Sequence, residues 1–290
     1  MPAAVFSKGP VKGSFWGRDV ASSRGEATRT GWVKALGIFG ELLITVAVII
    51  GLFVVWYAYL NPWVVGLRQE QVAAEQSRQL TKQLQTQTQT TTAPAPSQPA
   101  SPSPTHSATS VGTPHASTPV PIMAEPANVA DTIGVIYVPR LGDDWRRILR
   151  ESVDTDRVLN SVTAGVGHYT GTAMPGGVGN FAVAAHDIGY GNSFLNLSKL
   201  RLGDHIYVQT SLGWYTYTFR NFQFVQPDAV NVLDAVPTVS RTAGADRFIT
   251  LTTCYPAIFP PLERVVAYGT FVGFDTAPPA ELAKLLSKDG

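Results

Sequence analysis

The run Leu42-Leu-Ile-Thr-Val-Ala-Val-Ile-Ile-Gly-Leu-Phe-Val-Val-Trp-Tyr-Ala-Tyr-Leu60 passes nineteen residues without a charge, close to the roughly 20 that carry a helix across a hydrocarbon core. It predicts a transmembrane helix, set at residues 35–63. A cleaved secretory signal would have a shorter apolar region, about 7–15 residues, and then a small-x-small site. Here Tyr57, Tyr59, Pro62 and Trp63 follow instead. Trp32 on one side and Trp56, Tyr57, Tyr59 and Trp63 on the other suit the headgroup level. A buried core helix so uniformly apolar would need a large protein around it.

The pattern then turns polar. Residues 66–84 are helix-tolerant, and residues 85–130 are dominated by Gln, Thr, Ser, Pro and Ala, with too little apolar surface to offset the entropy of ordering. Residues 64–130 therefore read as a low-complexity stalk. His106 and His115 fall inside it and are assigned no role. From residue 131 onward the pattern is one of short runs rich in β-branched and aromatic residues, bounded by Gly, Pro, Asn or Asp. The predicted strands are 133–138, 181–185, 205–210, 214–224, 247–253 and 265–274. Along Trp214-Tyr-Thr-Tyr-Thr-Phe the character alternates with a period near two, as a half-buried strand requires. Helical text is limited to 157–161, 192–199 and 279–288. Many short strands with few helices predict an all-β domain over 131–290, a closed barrel or a sandwich.

Charge adds an orientation. Residues 1–34 carry six Lys or Arg against Asp19 and Glu26, a local net of +4 that the overall +1 conceals. By the positive-inside rule the N-terminal basic segment is cytoplasmic and everything after the span extracytoplasmic. Residues 131–290 hold thirteen basic and fifteen acidic residues, so the compact part has no basic excess to attract nucleic acid. The single cysteine, Cys254, excludes an intrachain disulfide and any CxxC metal or redox pair.

That thiol ends the strand Arg247-Phe-Ile-Thr-Leu-Thr-Thr-Cys254, at the mouth of a loop. A cysteine nucleophile needs a base or ion-pair partner, because its free pKa of about 8.5 leaves little thiolate at neutrality. His186 closes the apolar run Phe181-Ala-Val-Ala-Ala185 and is another strand-end residue facing a loop. His168 lies in the glycine-rich Gly165-Val-Gly-His-Tyr-Thr-Gly171 and reads as a groove wall, whereas His205, beside Asp204, reads as a surface turn residue. Arg264 starts the following strand and can return to the thiol's end of an antiparallel pair, as an oxyanion stabiliser or as a surface partner of Glu263.

These residues carry a resemblance. Thr250-Leu-Thr-Thr-Cys254 resembles the TLxTC motif of sortases, the cysteine transpeptidases of Gram-positive surfaces, with Arg264 matching the arginine of the next strand and His186 the histidine. The segment Gly167-His-Tyr-Thr-Gly-Thr-Ala-Met-Pro-Gly-Gly-Val-Gly-Asn-Phe-Ala-Val-Ala-Ala-His186 is similar to the stretch before the histidine in class E sortases of actinobacteria. The likeness covers about 131–275 and departs at Ala185-His186-Asp187, where that class usually reads Gly-His-Arg, and at Tyr255, where it often has His.

The resemblance implies an eight-stranded sortase barrel acting on surface proteins with a C-terminal LPxTG or LAxTG sorting signal, cut between Thr and Gly. It implies Cys254 as nucleophile, His186 as acid and Arg264 on the oxyanion or the peptide, with Thr253, His168 and Tyr255 toward substrate. An amine of a peptidoglycan precursor or cross-bridge resolves the thioacyl enzyme, and the lipid bilayer holds residues 35–63. No cofactor and no metal are expected, since no acidic cluster has calcium-loop spacing. Two alternatives remain: a pilin-polymerising sortase, for which Asp143-Asp-Trp145 is too weak to count as a lid, and an inactive membrane-tethered β-barrel binding module.

Overall fold

The computed structural model describes residues 23–91, 119–239, 244–257 and 261–288. The heart of the expected stalk, with His106 and His115, and the first part of the basic segment lie outside them. The chain divides into two units, residues 1–54 and 55–290. In the first, helix α1 (Ser23–Val55) carries most of the predicted span. Among its described side chains, Leu42, Ile49 and Leu52 are each more than half exposed. A helix apolar on every side and left bare in this way is suited to lipid rather than water.

The second unit is a closed barrel. Its strands are β1 (Thr132–Tyr137), β2 (Arg146–Glu151), β3 (Gly165–His168), β4 (Gly179–Ala184), β5 (His205–Gln209), β6 (Trp214–Val225), β7 (Arg247–Tyr255) and β8 (Glu263–Asp275). They close in the order β1-β2-β3-β4-β7-β8-β6-β5, parallel only at β2–β3 and β4–β7. Closure leaves no free edge, and it decides between the two architectures in favour of the barrel. Ile136, Leu149, Val166, Phe181, Val183, Ile206, Tyr217, Ile249 and Leu251 form the main core. The expected helix at 192–199 shrinks to one 3-10 turn, Leu197–Lys199.

Strand side chains alternate between faces, so Val135 and Tyr137 of β1 belong to a second cluster with Ile148, Tyr207 and Trp214. That outer face is covered. Helix α2 (Asn61–Thr91) lays Ala73 and Leu80 onto it, and Leu282 and Leu285 from the C-terminal segment complete the cover. Gln69, Ala73, Ser77, Leu80 and Leu84 recur at helical spacing and are all buried, which makes one face of α2 a docking stripe. Polar contacts fix it further: Arg147 Nη1 meets Glu70 Oε1 at 3.0 Å, and Gln209 Nε2 donates to Ser77 O and Thr81 Oγ1.

The stalk and domain boundaries need correction on this evidence. Residues 64–91 are not a solvated tether but a helix packed on the barrel, because strands β1 and β5 present apolar side chains on both faces. The other end of the expected stalk is also engaged: Tyr215 OH donates to Pro121 O at 2.7 Å, and Val120 and Met123 pack against the core. Starting the soluble protein at Asp131 would strip both. A chain beginning at Pro119, which lacks α2 and residues 92–118 but keeps Val120 and Met123, should melt well below one beginning at Asn61. Re-exposing the face under Leu80 and its neighbours costs on the order of 3 kcal/mol, or about 6–12 °C at this size. Equal melting curves by differential scanning calorimetry would show that α2 adds nothing to the barrel.

Candidate active site

Strands β4 and β7 run parallel with Ala184 opposite Thr252. His186 and Cys254 each lie two residues further along, so the two reach the same level at the same end of neighbouring chains, and the period of two keeps their side chains on one face. The registry is held by Ala185 N–H donating to Thr252 O at 3.2 Å and by Thr253 Oγ1 donating to Ala185 O at 2.8 Å. On the other side of β7, Cys254 pairs directly with Arg264 of β8. The guanidinium folds over the thiol, with Arg264 Nη1 3.2 Å from Cys254 Sγ. Arg264 therefore faces the sulfur, and its contact with Glu263 is only to the backbone oxygen, at 3.5 Å.

Two loops hold His186. Its Nε2 lies 2.9 Å from Asn160 Oδ1, and the Tyr190 ring packs on the imidazole at 5.2 Å between centroids. With Nε2–H donated to Asn160, the neutral ring keeps Nδ1 as its basic atom. Asn160 and Tyr190 carry no sequence motif; only their place in turns after a strand could have drawn attention to them.

The electrostatics favour a neutral resting pair. Burial lowers the His186 pKa, and the Arg264 cation lowers it further. Burial raises the Cys254 thiol; Arg264 opposes that rise, and Asp187 adds to it. Asp187 is itself buried, accepts from Ile188 N–H on Oδ1, and has no hydrogen-bond partner for Oδ2 among the described residues. Burial accordingly pushes its own pKa up. An attacking thiolate beside an imidazolium would then be a minor form, present at most between the two pKa values. A bell-shaped kcat/KM profile should result, with its acid limb below the usual histidine range and its alkaline limb above the usual thiol range. Removing the Asp187 charge by Asp187→Asn should bring the alkaline limb down in pH; a limb that stays or climbs would show that Asp187 does not act on the thiol.

Of the substrate-side residues, Tyr255 is exposed and packs against the exposed Phe224 at 4.7 Å, giving an apolar surface next to the thiol. Thr253 is buried with its hydroxyl committed to Ala185 O, so it braces β7 against β4. The groove-wall reading of His168 is corrected: the residue is 0% exposed. Its Nδ1 lies 2.8 Å from Glu151 Oε2, its Nε2 2.9 Å from Thr172 Oγ1, and its ring stacks on Phe181. The ring points into the barrel with the core residue Phe181, and Glu151 stands opposite His168 in the β2–β3 register. Glu125, Glu151 and His168 bring potential metal ligands within 4.8 Å of one another, but Gly171 N–H and Thr170 Oγ1 already occupy the two carboxylates.

A closed eight-stranded barrel with one thiol at a strand end, backed by a guanidinium, is the frame of a cysteine transpeptidase. The chain belongs to the sortase family: the sortase-domain model matches residues 136–272. It is similar to sortase SrtE2 of Streptomyces coelicolor, at 29% identity over 86% of this chain and 88% of that one. Sortase SrtE1 of the same organism is 35% identical over 48% of this chain and 40% of its own length. Among solved structures, the SrtA sortase of Actinomyces oris superimposes with a TM-score of 0.51 at 32% identity, covering 57% of this chain and 93% of the other. The similarity to SrtE proteins agrees with the class E pattern before His186.

Proposed function

We propose that this sortase is a membrane-anchored transpeptidase of sorting signals of LPxTG or LAxTG type, cut between Thr and Gly and passed to a cell-wall amine. The observation that carries the reading is the 3.2 Å approach of Arg264 to Cys254 at paired strand positions. Cys254 attacks the Thr carbonyl carbon, forming the C–S bond as the carbonyl electrons move to oxygen. Arg264, already over the sulfur, faces the developing oxyanion. Collapse breaks the Thr–Gly C–N bond, and His186 supplies the proton that the leaving amine needs. The acceptor amine then attacks the thioester, passes its proton to His186 and releases Cys254 as the thiolate, which restores the thiolate–imidazolium pair. Tyr255 and Phe224 offer the apolar contact for the signal peptide.

Mass spectrometry of the protein with Leu-Pro-x-Thr-Gly and Leu-Ala-x-Thr-Gly peptides and hydroxylamine tests this directly. The expected product is the hydroxamate of the Thr-ended fragment, with a thioacyl adduct on Cys254 when the nucleophile is withheld. Intact peptides under all conditions would overturn the reading. The +4 segment before the apolar helix supports a cytoplasmic N-terminus and an extracytoplasmic catalytic unit. Protease added to intact protoplasts should then remove residues 61–290; protection of the barrel would reverse the topology.

A further inference from the structure

Gln69 is fully buried, yet it belongs to α2, outside residues 136–272 that match the sortase-domain model. Both hydrogens of its amide are used, Nε2 donating to Ser161 O at 2.8 Å and to Tyr190 O at 2.9 Å. Its Oε1 accepts from Ser193 Oγ at 3.3 Å. Ser161 directly follows Asn160, which bonds the His186 imidazole, and Tyr190 is the residue whose ring packs on that imidazole. One amide therefore ties together the two loops that hold His186 from opposite sides.

The socket is shaped for that amide. Gly165 and Gly191 border it with φ of +97° and +93°, a backbone region that costs other residues strain. A Cβ on Gly191 would collide with the Gln69 amide oxygen, and one on Gly165 would come within 2.8 Å of Nε2. The neighbouring Glu70 reinforces the arrangement through Arg147, whose Nη2 donates to Gly191 O at 3.3 Å and whose Nε donates to Ser193 Oγ at 3.2 Å.

We propose that Gln69 is a positioning residue for His186, so that the juxtamembrane helix completes the active site by fixing the Asn160–Ser161 and Tyr190 loops. This rests on the reading of His186 as the proton donor. Gln69 touches neither the thiol nor the imidazole, and it acts through the backbone carbonyls of Ser161 and Tyr190. Without its two N–H groups those carbonyls lose the partner that joins them. The loops then drift, and the ring leaves the orientation set by Asn160.

The test uses full-length protein in detergent with Gln69→Glu, which keeps the shape but presents oxygen to both carbonyls, and Gln69→Asn, which keeps the amide but shortens its reach. Each is expected to lower kcat at least tenfold with KM within twofold, while iodoacetamide alkylation of Cys254 keeps its rate, because the Cys254–Arg264 pair is untouched. Melting temperature identifies a variant that fails to fold; if Gln69→Glu does, Gln69→Asn decides. Normal kcat in a folded variant, or a loss of kcat matched by slower alkylation, overturns the proposal. His186→Ala is measured alongside. Should it retain full turnover, the reading of His186 has failed; should it lose turnover while the Gln69 variants keep theirs, only the inference about Gln69 has.

Discussion

Cys254→Ala is expected to reduce both cleavage and transfer to background and to leave no thioacyl adduct. The chain has no second thiol to take over, and among the described residues Cys254 is the nucleophile whose side chain meets Arg264. The loss separates this residue from its neighbour Thr253, which braces the strand, since the Ala variant keeps the β4–β7 registry and should melt normally. Arg264 fails differently. Arg264→Ala removes the group facing the sulfur and is expected to cost about 10²–10³ in kcat, the range for an oxyanion donor. It also removes the cation that holds the Cys254 pKa down, so alkylation at neutral pH should slow and the alkaline limb should move up. Arg264→Lys retains charge without the planar fork. Near-normal turnover in the Lys variant would show that charge alone suffices, and near-normal turnover in Arg264→Ala would return Arg264 to a surface role.

The strands that the sequence made legible are those whose residues announce a β surface by chemistry: β1, β4, β5, β6, β7 and β8 each appear within a few residues of their predicted bounds. β2 was hidden because Arg146, Arg147, Arg150 and Glu151 read as solvent-facing text, yet all but Arg150 are buried. Arg147 escapes the usual rule by stacking on Trp145 and pairing with Glu70, partners 2 and 77 residues away in sequence. β3 is only four residues, two of them glycine. Helix α2 was misread for a related reason: its docking stripe of Gln, Ala and Ser looks polar in isolation, and only the outward Val135, Tyr137 and Trp214 of a barrel not yet folded make it a stripe. That Cys254, His186 and Arg264 lie together at one end of neighbouring strands was legible because strand ends and a motif mark them. Asn160, Tyr190 and Gln69 could not, since each acts through a contact that closure of the barrel creates.

The two buried or half-buried histidines should part company on mutation. His186→Ala leaves Cys254 and Arg264 in place, so the fold should survive and the thiol should remain alkylatable, but under the proposed mechanism the leaving amine loses its proton source. A loss of about 10²–10⁴ in turnover is expected from general acid catalysis alone. His168→Ala instead strips a fully buried ring from Glu151, leaving a carboxylate that is 3% exposed with Thr170 Oγ1 as its remaining partner. Removing a fully buried ring and its hydrogen bond to a buried carboxylate costs about 3–5 kcal/mol, which at this size is a fall of roughly 6–20 °C in melting temperature. Any lost activity in His168→Ala should therefore track lost fold and return on cooling, whereas that of His186→Ala should persist at every temperature where the protein is folded. The opposite pattern, a stable and inactive His168→Ala beside a working His186→Ala, would move the proton donor from the end of β4 to the interior of the barrel.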